Sequence, residues 1–126
     1  MHARSTHRIL VIDDDIRMRD ALNEAILRLG YDASVCSSGE EALLALARSP
    51  FALVVTDMRM PGMDGLSFLR ETRRRNIRTP VLVITGFGTV ENAVESMKEG
   101  AVDYLMKPFS YDALKGAVNG ILSRYD

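Results

Sequence analysis

The chain carries a small set of polar side chains that could act together in one chemical step. Each directly follows a short apolar run: Asp13 and Asp14 the first, Asp57 the third, Thr85 the fourth and Lys107 the fifth. If these runs are strands of one parallel sheet, their carboxyl ends meet at one edge, where ligands bind in such sheets. Carboxylates, a hydroxyl and an ammonium group would then surround a single site.

This combination of groups favours a site that accepts a phosphoryl group. Crowded carboxylates repel one another, so their ionised forms need a cation nearby. Mg²⁺ is a suitable cation because it binds few carboxylates and keeps several waters. Asp57 would be the nucleophile, Lys107 would neutralise phosphoryl oxygens together with the metal, and Thr85 would donate a hydrogen bond.

Taken singly, each of these signals has a simpler explanation. Asp15, the last acid of the triplet, is expected to cap the helix that follows. Asp57 alone could be a turn residue, and Thr85 alone could belong to an ordinary loop. Lys107 alone could lie in an exposed turn before proline. The chemical interpretation depends on all of them occurring at the ends of apolar runs.

Apolar runs alternate with segments of helical periodicity five times along the chain, which indicates an α/β fold. Five such units predict a parallel sheet with helices on both faces. The first, third and fourth runs are apolar throughout, as expected of strands buried on both faces. Strands are predicted at 8–12, 31–36, 53–56, 81–84 and 103–106, and helices at 16–29, 39–48, 66–76, about 89–100 and about 110 to near the C-terminus.

Several residues mark the expected ends of these helices. Gly30 is placed where a C-terminal cap glycine belongs. Residues 38–41 read Ser-Gly-Glu-Glu, which predicts a capping box at the start of the second helix. Thr89 and Ser110 are expected to cap the fourth and fifth helices.

Length and composition limit the remaining classes of protein. The chain has 126 residues, which suits one domain, and its formal net charge of -1 argues against direct nucleic-acid binding. Cys36 is the only cysteine, which excludes a disulfide framework and suggests a small buried residue. No apolar run approaches the roughly 20 residues of a membrane span. We expect a cytoplasmic domain over 8–126 and a poorly ordered polar tail over 1–7 that is not a signal peptide.

Four segments together resemble the receiver domain of two-component response regulators, the CheY-like family. They are VIDDD at 11–15, VTDMRMPGMDG at 55–65, VITGFG at 83–88 and GAVDYLMKPF at 100–109. The resemblance covers nearly the whole chain, and these motifs are specific in combination. It implies a five-stranded parallel sheet in the order 2-1-3-4-5, the order of flavodoxin-like folds.

The resemblance also implies roles for the residues of the metal site. Asp57 becomes the phosphoacceptor. Asp13 and Asp14 become the acidic pair, with Asp14 the more direct ligand of Mg²⁺, for which Mn²⁺ is an alternative. The backbone carbonyl of Arg59, two residues after the acceptor, becomes a further metal ligand.

Other positions correspond to the family's switch. Thr85 takes the place of the switch hydroxyl, and Lys107 that of the phosphoryl-binding lysine. Tyr104 falls at the aromatic switch position, although without the motif it would be interpreted as a half-buried strand residue. A cis peptide bond is expected between Lys107 and Pro108, a feature that is rare and usually selected.

The phosphoryl donor is expected to be another protein. The two histidines, His2 and His7, lie in the polar N-terminal segment rather than on a helix. The resemblance therefore implies a sensor histidine kinase or a phosphotransfer protein as partner. Within the family, the chain most resembles receivers of NtrC-type, sigma-54-dependent activators. This resemblance implies AAA+ and DNA-binding domains after this segment. A homodimer through the fourth-helix, fifth-strand and fifth-helix face is a family expectation, and a stand-alone receiver in a phosphorelay or chemotaxis-type signal is the alternative.

Two further alternatives belong to other classes. A haloacid-dehalogenase-like phosphohydrolase also uses a strand-end aspartate, but it needs a second aspartate where this chain has Arg59. A flavodoxin-like nucleotide binder needs a glycine-rich phosphate loop after the first strand, which is absent from the sequence. We therefore expect a regulatory protein, not an enzyme with turnover. In the family, the side chains at the positions of Arg59 and Phe87 tune the lifetime of the phosphoryl group on the acceptor. Arg59 and Phe87 predict that this phosphoryl group is hydrolysed slowly.

Overall fold

The computed structural model describes residues 7–86 and 90–125, without the side chains of Val90 and Asn92. Its strands form one parallel sheet in the order β2-β1-β3-β4-β5. The predicted α/β class and the strand order implied by the resemblance are both confirmed. The strands are β1 (Arg8–Ile12), β2 (Asp32–Cys36), β3 (Leu53–Asp57), β4 (Val81–Thr85) and β5 (Asp103–Met106).

Helices cover both faces of this sheet. They are α1 (Ile16–Arg28), α2 (Gly39–Arg48), α3 (Gly65–Arg74), α4 (Val90–Lys98) and α5 (Tyr111–Tyr125). Because side chains alternate along a strand, Ile9 of β1 packs in the core under α1 and α5. Its neighbour Leu10 packs in the opposite core with Phe68 and Leu69 of α3. A hydrophobic core therefore lies on each face of the sheet.

β3 and β4 each extend one residue beyond the end that their apolar pattern predicts. Asp57 continues β3 by pairing with Ile84. Thr85 continues β4 by pairing with Met106. Backbone pairing with the next strand, and not side-chain polarity, decides where a strand ends. Two of the candidate functional residues are therefore part of the sheet itself.

Three helices each end in the same type of hydrogen-bonded turn. The sequence predicted such a C-terminal cap only for α1. Gly30 has φ 100° there, and Tyr31 donates its N–H to the carbonyl of Ile26. Tyr31 thus belongs to the helix cap and not to β2, where it was predicted. Gly100 follows α4 with φ 110°, and Asn76 follows α3 with φ 58°, so α3 ends earlier than its predicted end at 76.

One of the two hydrogen bonds of the predicted capping box at the start of α2 forms as expected, and the other has a different donor. Ser38 accepts the N–H of Glu41 at 3.2 Å, as expected. The carboxylate of Glu41 instead accepts from the N–H of Ser37 at 2.7 Å. The carboxylate of Glu41 thus bonds one residue before the N-cap, Ser38, which has the extended backbone usual for an N-cap, with φ −152°. Asp15 and Ser110 cap α1 and α5, as predicted, by accepting hydrogen bonds from Arg17 and Ala113.

Some expectations fall on parts of the chain that the structure does not describe. These are the tail over 1–6, the cap at Thr89 and the position of Phe87. His7 is described, and its ring lies 5.8 Å from the ring of Tyr31 in an edge-on contact. Within the described residues, none of the helices has the length and apolar character needed to cross a membrane.

Candidate functional site

Main-chain hydrogen bonds beyond the strand ends hold the candidate residues in place. The N–H of Met58, next to Asp57, donates to the carbonyl of Ile84 at 2.8 Å. The N–H of Lys107 donates to the carbonyl of Thr85, also at 2.8 Å. The ends of β3, β4 and β5 are therefore tied in sequence across one edge of the sheet.

Three carboxylates converge at this edge. Asp13, Asp14 and Asp57 each offer one oxygen atom, and these oxygens all lie within 4.8 Å of one another. Asp13 is fully buried and Asp57 is 8% exposed, while Asp14 is open to solvent. The cluster thus reaches from the protein interior to its surface.

Burial perturbs the carboxyl group of Asp13. Removal from water raises the pKa of its carboxyl to about 6, and the nearby Asp57 adds repulsion. A hydrogen bond from the N–H of Asp15 to Oδ1, at 2.9 Å, opposes this rise. The other oxygen, Oδ2, is buried and accepts no hydrogen bond from the described residues. An ionised Asp13 at this position calls for a cation.

The donor set fits a small divalent ion. A buried carboxylate oxygen without a donor, close to two further carboxylates, offers the hard oxygen ligands that Mg²⁺ and Mn²⁺ accept. The N–H of Arg59 donates to Oδ1 of Asp57 at 3.2 Å, so the Arg59 peptide lies against the acceptor. The Arg59 carbonyl is a further candidate ligand.

Lys107 brings positive charge to the cluster from the end of β5. Its ammonium Nζ lies 3.1 Å from Oδ2 of Asp57, and both side chains are partly shielded from water. The peptide bond between Lys107 and Pro108 is cis. Asp57 is therefore held through both carboxylate oxygens, by the Arg59 N–H on one and by Lys107 on the other.

The two residues expected to form the switch lie on the adjacent strands β4 and β5. Thr85 is fully buried, and its hydroxyl donates to the carbonyl of Gly86 at 3.2 Å. Tyr104 pairs with Val83 across β4 and β5, so its side chain shares the sheet face of Thr85. The ring of Tyr104 is 38% exposed and does not contribute to the carboxylate cluster.

An open cleft of about 480 Å³ adjoins the cluster. Asp14 and Arg59 line it together with Asp64 and Leu66 from the start of α3. Met58, the residue that follows Asp57, also lines it, so the cleft opens beside the acceptor segment.

Two contributors to the site were not identified from the sequence. Arg19 of α1 donates from Nη1 to the carbonyl of Asp13 at 3.3 Å. Gly65 follows Asp64 in an Asp-Gly pair, which is a turn signal in a sequence. In the structure it is the first residue of α3, and its N–H donates to the carbonyl of Met58 at 2.9 Å. A glycine in a close contact and a glycine in a turn have the same sequence signal, so only the structure separates them.

Comparisons with known proteins identify the family of the chain. The family described as the response regulator receiver domain matches residues 9–119. The chain is 45% identical over 107 residues to the response regulator protein FleR of Pseudomonas aeruginosa, covering 85% of this chain and 23% of that protein. It is 40% identical over 115 residues to the transcriptional regulatory protein ZraR of Escherichia coli K12, covering 91% and 26%.

A solved structure shows the same fold. The receiver domain of the Francisella response regulator 1452 has a TM-score of 0.90 and 36% identity, covering 96% of this chain and all of that one. The chain spans about a quarter of the length of FleR and ZraR. With the family match over residues 9–119, the chain belongs to the response regulator receiver domains of two-component systems.

Proposed function

We propose that the chain accepts a phosphoryl group on Asp57 from a sensor histidine kinase or a phosphotransfer protein, in a reaction that requires Mg²⁺. The observation that carries this proposal is the cluster of Asp13, Asp14 and Asp57, with the Lys107 ammonium 3.1 Å from the acceptor. Acids arranged in this way, beside a lysine and an open cleft, suit a phosphoryl group and a divalent ion.

The chemical step is a displacement at phosphorus. A carboxylate oxygen of Asp57 forms a bond to the phosphorus atom while the nitrogen–phosphorus bond of a phosphohistidine breaks. The N–H of Arg59 and the Nζ of Lys107 hold the carboxylate in one orientation before the donor arrives. Lys107 can then exchange its contact with Asp57 for one with a phosphoryl oxygen.

The acids and one carbonyl would hold the metal. Asp13, Asp14 and Asp57 are the carboxylate ligands, and the carbonyl of Arg59 is the proposed main-chain ligand. When bound, Mg²⁺ or Mn²⁺ supplies positive charge against the oxygens of the transferring group. Arg59 occupies the position at which a phosphohydrolase of the aspartate-nucleophile class has its acid and base. The chain is therefore proposed to be a regulatory acceptor that promotes only its own phosphorylation and slow dephosphorylation.

Phosphorylation is proposed to act on the surface formed by α4, β5 and α5. The Thr85 hydroxyl can exchange its 3.2 Å bond to the Gly86 carbonyl for one to a phosphoryl oxygen. Tyr104 lies on the same sheet face and can follow Thr85 inward. Reversing a two-state equilibrium from 1:99 to 99:1 requires about 5.5 kcal/mol, which the new charge must provide. Val94 and Met97 of α4 are exposed, as is Tyr104 of β5, and such a surface suits a homodimer in the active state.

The output is proposed to be transcription from sigma-54-dependent promoters. Relatives named as response regulator and transcriptional regulatory proteins are about four times longer than the matched segment, which leaves room for AAA+ and DNA-binding domains. This segment itself is proposed to bind neither nucleic acid nor a membrane. It is proposed to act in the cytoplasm, where it meets its kinase and its promoters.

The experiment that tests acceptance is intact mass spectrometry with a small phosphodonor such as acetyl phosphate. Wild type should gain one phosphoryl group with Mg²⁺ and none with a chelator. Asp57→Asn is the matched control and should gain none under either condition. Incorporation into Asp57→Asn at the wild-type rate, or none into wild type, refutes the proposal. Repeating the reaction with a phosphorylated histidine phosphotransfer protein tests the partner class.

A further inference from the structure

We propose that Gly65 is a positioning residue for the acceptor segment, a role that rests on the proposed function at Asp57. Because Gly65 has no side chain, the first turn of α3 lies directly against the main chain of Asp57 and Met58. Its contribution is to set the place of the acceptor and of the Arg59 peptide beside it.

The acceptor segment is held between two elements. On one side the N–H of Met58 donates to the carbonyl of Ile84 in β4, at 2.8 Å. On the other side the carbonyl of Met58 accepts the N–H of Gly65 in α3, at 2.9 Å. Met58 is therefore fixed at both its N–H and its carbonyl, and a push from α3 would strain these two hydrogen bonds.

A side chain at Gly65 would push in that direction. An added Cβ would lie 2.9 Å from the Met58 Cα, 3.1 Å from the Asp57 carbonyl oxygen and 3.3 Å from the Met58 carbonyl oxygen. All three are main-chain atoms, which cannot rotate away as a side chain can. Gly65 is not among the residues with positive φ, so alanine suits its backbone conformation and only the contact excludes it.

The displaced atoms belong to the site. The Asp57 carboxylate and the N–H of Arg59 are joined at 3.2 Å, and the Arg59 carbonyl is a proposed metal ligand. Functional groups must be held within about 0.5 Å of their productive positions, and a misplacement of about 1 Å costs about 100-fold in rate. A shift of a few tenths of an ångström at Met58 should weaken Mg²⁺ binding and slow phosphorylation together.

The chain offers two matched glycine controls. An added Cβ at Gly39, the first residue of α2, would also meet an atom at 2.9 Å, but that atom is the Sδ of Met63, the mobile end of a long side chain. At Gly116 in α5 an added Cβ meets nothing within 4 Å. Gly39→Ala tests a close contact that can relax, and Gly116→Ala tests the change in helix propensity alone.

The experiment compares Gly65→Ala, Gly39→Ala and Gly116→Ala with wild type. Two quantities are measured: the Mg²⁺ dissociation constant by calorimetry, and the rate of phosphorylation by acetyl phosphate across Mg²⁺ concentrations. Gly65→Ala should raise the dissociation constant and slow phosphorylation by about 10-fold or more, while the controls stay within about twofold of wild type. Values for Gly65→Ala that match Gly39→Ala overturn the proposal.

A loss of stability has to be separated from a loss of position. Gly65→Ala is therefore also placed in a background with Gly116→Ala and Gly120→Ala, two helix positions where alanine has free space and favours the helix. If Mg²⁺ affinity returns to the wild-type value when stability returns, the positioning role is refuted. If wild type and Asp57→Ala respond alike to the phosphodonor, the proposed function fails, and the dissociation constants still decide whether Gly65 places the metal ligands.

Discussion

Replacing Asp13 by asparagine should stabilise the metal-free protein at neutral pH. Burial raises the pKa of Asp13 from 3.8 to about 6, so the folded state resists ionisation that the unfolded state permits. A difference of about two pKa units corresponds to about 3 kcal/mol against folding once both states are ionised. The asparagine side chain carries no charge, and its oxygen can still accept the N–H of Asp15, which now bonds Oδ1 of Asp13.

The expected gain is smaller than the full electrostatic term. The amide nitrogen of the new asparagine must find an acceptor near the buried position of Oδ2, and an unpaired donor costs about 1–3 kcal/mol. One oxygen each of Asp14 and Asp57 lies within 4.8 Å of an Asp13 oxygen, so a small side-chain movement would bring an acceptor within hydrogen-bond distance. The free energy of unfolding should therefore rise by about 1–3 kcal/mol in a chelating buffer near neutral pH.

The pH dependence follows from the raised pKa. Below about pH 3 Asp13 is protonated in both states, so the carboxyl carries no penalty and the variant should gain little. As the pH rises towards 6 the unfolded chain ionises first, and the gain should reach about half its full value near pH 5. Above about pH 7, one unit beyond the folded pKa, the gain should be constant.

Urea unfolding with a chelator, across this pH range, measures the effect. Asp20→Asn, at an exposed carboxylate of α1, is the control and should change stability by less than about 0.5 kcal/mol. Excess Mg²⁺ should stabilise wild type more than Asp13→Asn, because binding to the folded state adds to its stability. A variant that is less stable than wild type at neutral pH without metal refutes the reasoning, as does an equal gain at pH 4.

Three further predictions concern other positions. Lys107→Met should slow phosphorylation by acetyl phosphate by about 10- to 1000-fold, because the ammonium contacts Asp57 directly. The affinity for Mg²⁺ should stay within about threefold of wild type. A phosphorylation rate equal to wild type contradicts this. Cys36 should react with iodoacetamide far more slowly in native than in urea-unfolded protein at pH 8, because burial raises the pKa of its thiol to about 11; equal rates by mass spectrometry contradict this. Phe68→Ala should lower the free energy of unfolding by about 3–5 kcal/mol in urea titrations, because the ring is fully buried in the core shared by β1 and α3; a loss below about 1 kcal/mol means that the core refills the space.

Local patterns in the sequence were sufficient for the fold class, whereas the strand order was implied by the resemblance of four motifs to the receiver family. The alternation of apolar runs with helical periodicity determines five βα units, and the right-handed connection of parallel strands limits their arrangement. The caps at Asp15 and Ser110 were also readable, because a capping side chain bonds the backbone two or three residues away. The positions of Asp57, Thr85 and Lys107 at strand ends followed from the same local pattern.

Distances between elements were not readable from the sequence. The pairing of Asp57 with Ile84, the Lys107 contact and the burial that raises the pKa of Asp13 all arise from strands remote in the chain. Gly65 gives a turn signal in the sequence but a close main-chain contact in the structure. The physical reason is that local preferences act over a few residues, whereas packing between elements decides which atoms touch and which groups lose their water.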